Sequence, residues 1–142
     1  MTDTARDSRP DVRPPEMRPL SPHLQIWRWH ATMAASILHR ATGVALYGAA
    51  ALLVVWLVLV ASGPSAYALA DAIFDHWFGQ LCLYGVVAAI AYHAANGVRH
   101  LLWDVGAHLN PKHAEVSAWF AFLIAIAAPT ALFAYFFFAE RL

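Results

Sequence analysis

TGVALYGAAALLVVWLVLVA, Thr42 to Ala61, is a run of 20 residues without one charged side chain. Wound as a helix at 1.5 Å per residue it reaches ~30 Å, the thickness of a bilayer's hydrocarbon core. A strand crossing the same core is half as long and alternates in polarity, which this run does not do. Two further apolar stretches follow, Trp77–Trp103 and Val116–Ala139. With 61% hydrophobic and 13% charged residues and a mean hydropathy of +0.52, a chain of 142 residues lacks the polar surface of a soluble domain. The pattern predicts an all-α integral membrane protein. Its three transmembrane helices fall at about 31–62, 77–104 and 115–139, after an arm and interfacial segment at 1–30.

The formal net charge of zero conceals an uneven distribution. Arg6, Arg9, Arg13, Arg18, Arg28 and Arg40 precede or open the first span, and Arg99 and Lys112 flank the connection between the second and third. Asp71 and Asp75 occupy the other connection, with no Lys or Arg beside them. The positive-inside rule then puts the N-terminus in the cytoplasm (or matrix) and the C-terminus outside. The segment MTDTARDSRPDVRPPEMRPLSP has no apolar core, so it is no secretory signal. Its acids Asp3, Asp7, Asp11 and Glu16 are wrong for an organelle transit peptide. A bacterial inner-membrane protein fits best. The neutral balance suits a lipid environment and gives no sign of a nucleic-acid partner. Cys82, alone, allows no internal disulfide.

Polar residues within the spans are the candidate functional groups, since an unpaired ionisable side chain in lipid costs several kcal/mol. SILHRATG, Ser36 to Gly43, opens the first span. Ser36, His39 and Arg40 stand at i, i+3 and i+4, on one helical face that suits an anion or a polar carbonyl. The competing reading has Arg40 snorkelling to headgroups and Ser36 bonded back to its own helix. In the second span His93, Gly97 and His100 share a face, with Ala89 and Gly85 on the turns before. A neutral imidazole flanked by small residues suits haem ligation; equally it suits a histidine bonded to a neighbouring helix. His23, His30, His76, His108 and His113 fall in loops or at interfaces, and the Phe-rich LFAYFFFAE reads as a lipid-facing anchor. Ser62–Pro64 stops the first helix, Pro111 breaks the chain before the third, and Pro129 lies within it.

Three ordered motifs, RPLSPHLQIW (Arg18–Trp27), SILHRATG and HAANGVRHLLWD (His93–Asp104), resemble the cytochrome b556 large anchor subunit of succinate dehydrogenase. The likeness is closest to the mitochondrial and alphaproteobacterial branch. It implies a subunit of a hetero-oligomeric helical bundle, partnered by flavoprotein, iron–sulfur and small membrane-anchor subunits. Succinate oxidation would occur in the flavoprotein, with no catalytic residue in this chain. The resemblance implies that His93 is an axial ligand of one haem b, the second coming from the small anchor subunit. It also implies that Ser36 and Arg40 hold ubiquinone, that His39 and Arg40 lie near the haem propionates, and, more weakly, that Leu24 and Trp29 wall the quinone pocket. Trp27 stands where the family usually has tyrosine. The alternatives are a haem-free structural anchor and the anchor of a menaquinol:fumarate reductase.

Overall fold

A computed structural model describes residues 28–139. Four helices follow one another: α1 Ala31–Ala61, α2 Pro64–Asp75, α3 Trp77–Asp104 and α4 Pro111–Ala139. α1, α3 and α4 are each long and apolar enough to cross a membrane, and no strand occurs among the described residues. At ~1.5 Å per residue α2 reaches only ~18 Å, too short to span. α3 is the central element and packs on all three others, most extensively on α4. Little is buried: Ala35 on α1, Ala70 on α2, Ala118, Ala121 and Pro129 on α4, and Gly79, Tyr92, Asn96 and Arg99 on α3. The small residues let helix backbones approach, as packing in lipid requires. The large aliphatic side chains of α1, Leu52, Leu53, Val54 and Val55 among them, stay exposed.

The helix ends follow local chemistry. Residues 62–76, which the sequence suggests as an outer loop, contain α2 instead. Gly63 turns the chain at φ 108°, a conformation costly for any other residue, and Pro64 then starts the helix with φ already fixed. His76 ends α2 and begins α3, where its Nδ1 accepts the Phe78 N–H at 3.3 Å. This is an N-cap made by imidazole in place of the usual hydroxyl or carboxylate. α3 closes on Gly106 at φ 77°, with the Ala107 N–H donating to the Leu102 carbonyl at 2.8 Å. α4 begins at Pro111, four residues ahead of the expected start, because proline in a first turn initiates a helix. Asn110 supports that start: its Oδ1 accepts the Lys112 N–H at 3.0 Å. Pro129 lies buried within α4, and the helix continues past it to Ala139.

The α2–α3 corner is tight. A Cβ on Gly79 would meet the Ile73 carbonyl oxygen at 2.1 Å and the Phe74 Cα at 2.9 Å. Both are backbone atoms, so no rotamer can relieve the contact, and Gln80 staples the same corner by donating from Nε2 to the Phe74 carbonyl at 2.8 Å. Gly79→Ala is therefore expected to cost ~2–4 kcal/mol and to expose the corner to protease. Gly85→Ala, with nothing within 4 Å, should be silent in the isolated chain. Equal thermal stability of the two variants would refute the close approach.

The C-terminal end of α4 carries the Phe run. Phe133, Phe136, Phe137 and Phe138 line a cavity of about 590 Å³ together with Tyr84 and Thr130. The Thr130 hydroxyl donates to the Ile126 carbonyl at 2.7 Å and stands 2.8 Å from the Tyr84 hydroxyl. Phe136, Phe137 and Phe138 also keep exposed faces.

Candidate functional site within the bundle

α1 and α3 run in opposite directions, so the start of one lies beside the end of the other. His39 is eight residues into α1, or ~12 Å along its axis. His93 is eleven residues before the end of α3, or ~16 Å. The two imidazoles meet. Their ring centroids are 4.0 Å apart with planes 30° from parallel, and His100 stacks on the other side of His39 at 5.0 Å and 28°. Three half-buried imidazoles thus form one column between the helices, with His39 at its centre. The stack is face to face, and no group of three or more His, Cys, Asp or Glu side chains among the described residues could hold a bare metal ion.

His93 is held from α1 by two residues. Its Nδ1 lies 3.2 Å from the Thr42 hydroxyl, and a Cβ on Gly43 would come 3.3 Å from its Cε1. Glycine at 43 therefore makes room for the ring. This is the bond to a neighbouring helix that the competing reading anticipates, but it occupies only one ring nitrogen. Along α3, Gly85 and Gly97 face open space, with nothing within 4 Å of a Cβ placed there. His39 Nε2 is buried and has no hydrogen-bond partner among the described residues. An imidazole with one nitrogen uncommitted, glycine gaps on its helix and an orphaned nitrogen beside it fit a bulky, polar-edged prosthetic group.

Ser36 is half-buried and Arg40 exposed. Thr42, Ser62 and Thr130 each donate to the carbonyl four residues back, at 2.9, 2.7 and 2.7 Å. Ser36 makes no such bond among the described residues, so its hydroxyl is available. Trp29 stands at the entrance to α1, 65% exposed. Leu24 lies outside the described residues. A cavity of about 340 Å³ opens between His30 and Thr32 of α1's entry, Trp103 of α3 and Pro111 and Ala114 of α4. Ser36, His39, Arg40 and His93 do not line it.

A second polar stripe escaped the sequence reading. Tyr92, Asn96 and Arg99, at i, i+4 and i+7, are the buried face of α3 beside the histidines. The Tyr92 hydroxyl donates to the Ala35 carbonyl on α1 at 2.9 Å, while its ring stacks on Phe122 of α4 at 5.6 Å. Arg99, read from sequence as a charge flanking a loop, is instead 5% exposed within α3. Its Nε donates to Ser117 Oγ at 2.9 Å, one terminal nitrogen to the Ala114 carbonyl at 3.0 Å and the other to Asn96 Oδ1. Trp103 lies under the guanidinium, 4.8 Å from its ring centroid. Among the described residues no carboxylate pairs with this cation. Its fork is satisfied by neutral acceptors alone. The helical spacing of polar residues was the available signal, masked by the eye-catching histidines on the adjacent face.

Three membrane-spanning helices with imidazole and guanidinium groups gathered at one depth define a class: an integral membrane helical bundle with ionisable side chains in one leaflet. The chain belongs to the succinate dehydrogenase/fumarate reductase transmembrane subunit family, whose model matches residues 14–132. It is 41% identical to the succinate dehydrogenase cytochrome b556 subunit of Paracoccus denitrificans over 101 residues, 71% of this chain and 78% of the relative. The b556 subunit of Rickettsia felis is 38% identical over 102 residues, 72% and 79% of the two chains. The mitochondrial cytochrome b560 subunit of Sus scrofa is 37% identical over 97 residues, 66% and 56%. The family inferred from three sequence motifs is thereby shown, and with it an anchor role in a multi-subunit oxidoreductase.

Proposed function

We propose that His93 of this chain would hold one haem b, shared with a small anchor subunit that would supply the other ligand, and that the chain forms part of the ubiquinone-reduction site. The observation that carries the proposal is the seating of His93 against α1, within two turns of the Ser36, His39 and Arg40 face. Flavoprotein and iron–sulfur subunits would dock on the inner surface, using the basic N-terminal arm, which lies outside the described residues, and the loop at Asn110 to His113. The membrane would be a bacterial inner membrane, with the N-terminus cytoplasmic and the C-terminus periplasmic. Asp71 and Asp75 at the opposite end from Arg28 and Lys112 support that orientation.

Two electrons and two protons convert quinone to quinol, and the chain's own residues act on the oxygens that gain charge. Ser36 would donate a hydrogen bond to one quinone carbonyl. Arg40 would stabilise negative charge growing on that oxygen, a role that strengthens as reduction proceeds. His39, between His93 and His100, offers its uncommitted Nε2 to the polar edge of the haem. When bound, haem b supplies a one-electron store beside the quinone. Because the Ser36–Arg40 face is open in the single chain, the other subunits would complete the pocket and exclude water.

Ser36→Ala and Arg40→Ala, tested in the whole complex, should each lower quinone reduction by roughly 10- to 1,000-fold. Succinate oxidation with an artificial electron acceptor, which bypasses the quinone, should stay near wild type. Parallel loss of both activities would count against a quinone role and point to faulty assembly.

A further inference from the structure

We propose that Thr42 is the positioning residue that fixes the tautomer of His93, and so decides which nitrogen is offered to iron; the inference rests on the reading of His93 as a haem ligand. The Thr42 hydroxyl has one proton and three neighbours. Two are carbonyl oxygens of its own helix, Leu38 at 2.9 Å and His39 at 3.0 Å, and carbonyls only accept. The third is His93 Nδ1 at 3.2 Å. With the hydroxyl proton directed at the carbonyls, the oxygen presents a lone pair to the ring, and the complementary state is Nδ1–H. Nε2 then keeps its own lone pair, as coordination requires. The opposite tautomer would pull the Thr42 proton from both carbonyls and leave Nε2 protonated and unable to bind iron.

Gly43 reinforces the arrangement from the next residue. The space its missing side chain leaves is the space His93 Cε1 fills, and Cε1 is the carbon joining the two nitrogens. One turn of α1 therefore orients the ring twice, by a hydrogen bond at Nδ1 and by a gap at Cε1. Thr42 touches neither iron nor quinone in this scheme. It acts through His93, in the manner of the carbonyl or carboxylate acceptors that commonly orient metal-bound histidines.

An acceptor on Nδ1–H makes the imidazole a more basic ligand and favours ferric over ferrous iron. Thr42→Val keeps the shape and removes the acceptor. In the purified complex this variant should retain haem but bind ferrous iron about tenfold better relative to ferric. That ratio is an upward shift of about 59 mV in the haem midpoint potential for a one-electron couple. Thr42→Ser should return the potential to wild type. Thr42→Ala, which removes the same hydroxyl without adding a methyl group, gives the same measurement if the valine variant does not assemble. A wild-type potential in the valine or alanine variant, or a serine variant that behaves like valine, would overturn the inference. His93→Ala measured alongside separates the two levels. A b-type band that persists without His93 defeats the ligand reading. Loss of the band there, with an unmoved potential at position 42, defeats only the role of Thr42.

Discussion

Replacing His93 with alanine is expected to remove the reduced-minus-oxidised b-type band from the complex, cutting haem content by roughly tenfold or more. Changes merely in the groups that orient a metal ligand typically cost 10- to 100-fold in affinity, and this one deletes the ligand itself. The ring is half-buried and makes one interhelical hydrogen bond, so its loss also leaves a gap beside His39, Thr42 and Gly43. That gap is modest compared with the contacts left intact, because Tyr92, one position away, still ties α3 to α1 and packs on α4. Assembly should therefore survive in part, and succinate oxidation with an artificial acceptor should persist. A complex of normal subunit composition and normal haem spectrum would dispose of His93 as the ligand. A wild-type complex without any b-type band would instead favour the haem-free anchor.

Arg99→Lys is expected to destabilise the fold by ~2–4 kcal/mol despite conserving charge. The guanidinium bonds in three directions at once, two of them to α4: Asn96 Oδ1 on its own helix, and Ser117 Oγ and the Ala114 carbonyl across the interface. A lysine ammonium on a single flexible stem cannot reproduce a planar fork, and it is more strongly hydrated. It would remain a buried cation with fewer acceptors, and each acceptor left unmet costs about 1–3 kcal/mol. Asn96 adds to the penalty, since its Nδ2 already lacks a partner among the described residues and its carbonyl depends on Arg99. The measurement is the thermal midpoint of the detergent-purified complex, with protease access to the 105–110 turn. An unaltered midpoint and an uncut turn would mean that apolar packing alone secures α4.

These two residues also mark what could be read without coordinates. Hydropathy and the Ser62–Pro64 stop made three spans visible, because an apolar run in lipid answers to length and composition alone. His93 stood out because an imidazole in such a run is rare. Arg99 misled for the converse reason: positive charges cluster at inner helix ends, and burial of one of them depends on acceptors contributed by α4. No spacing within α3 announces the Ala114 carbonyl. Thr42 was invisible too, as threonine is common in membrane helices and only the crossing of α1 with α3 brings it to His93. α2 is not legible in the sequence because a proline such as Pro64 both ends one helix and begins the next, and Pro111 carries the same ambiguity.

α2 gives the membrane's two sides a mechanical relation. It is pinned at one end by Gly63 and Pro64, and at the other by the backbone-to-backbone fit at Gly79 and the capping nitrogen of His76. A slack tether would let α1 slide along α3, and one helical turn of slip is ~5.4 Å, enough to carry a hydroxyl clear of any imidazole it serves. A short stiff strut with both joints locked acts as a length gauge. The alignment of side chains near one end of the bundle is thus set partly from the opposite end, by a segment that contributes no atom to them.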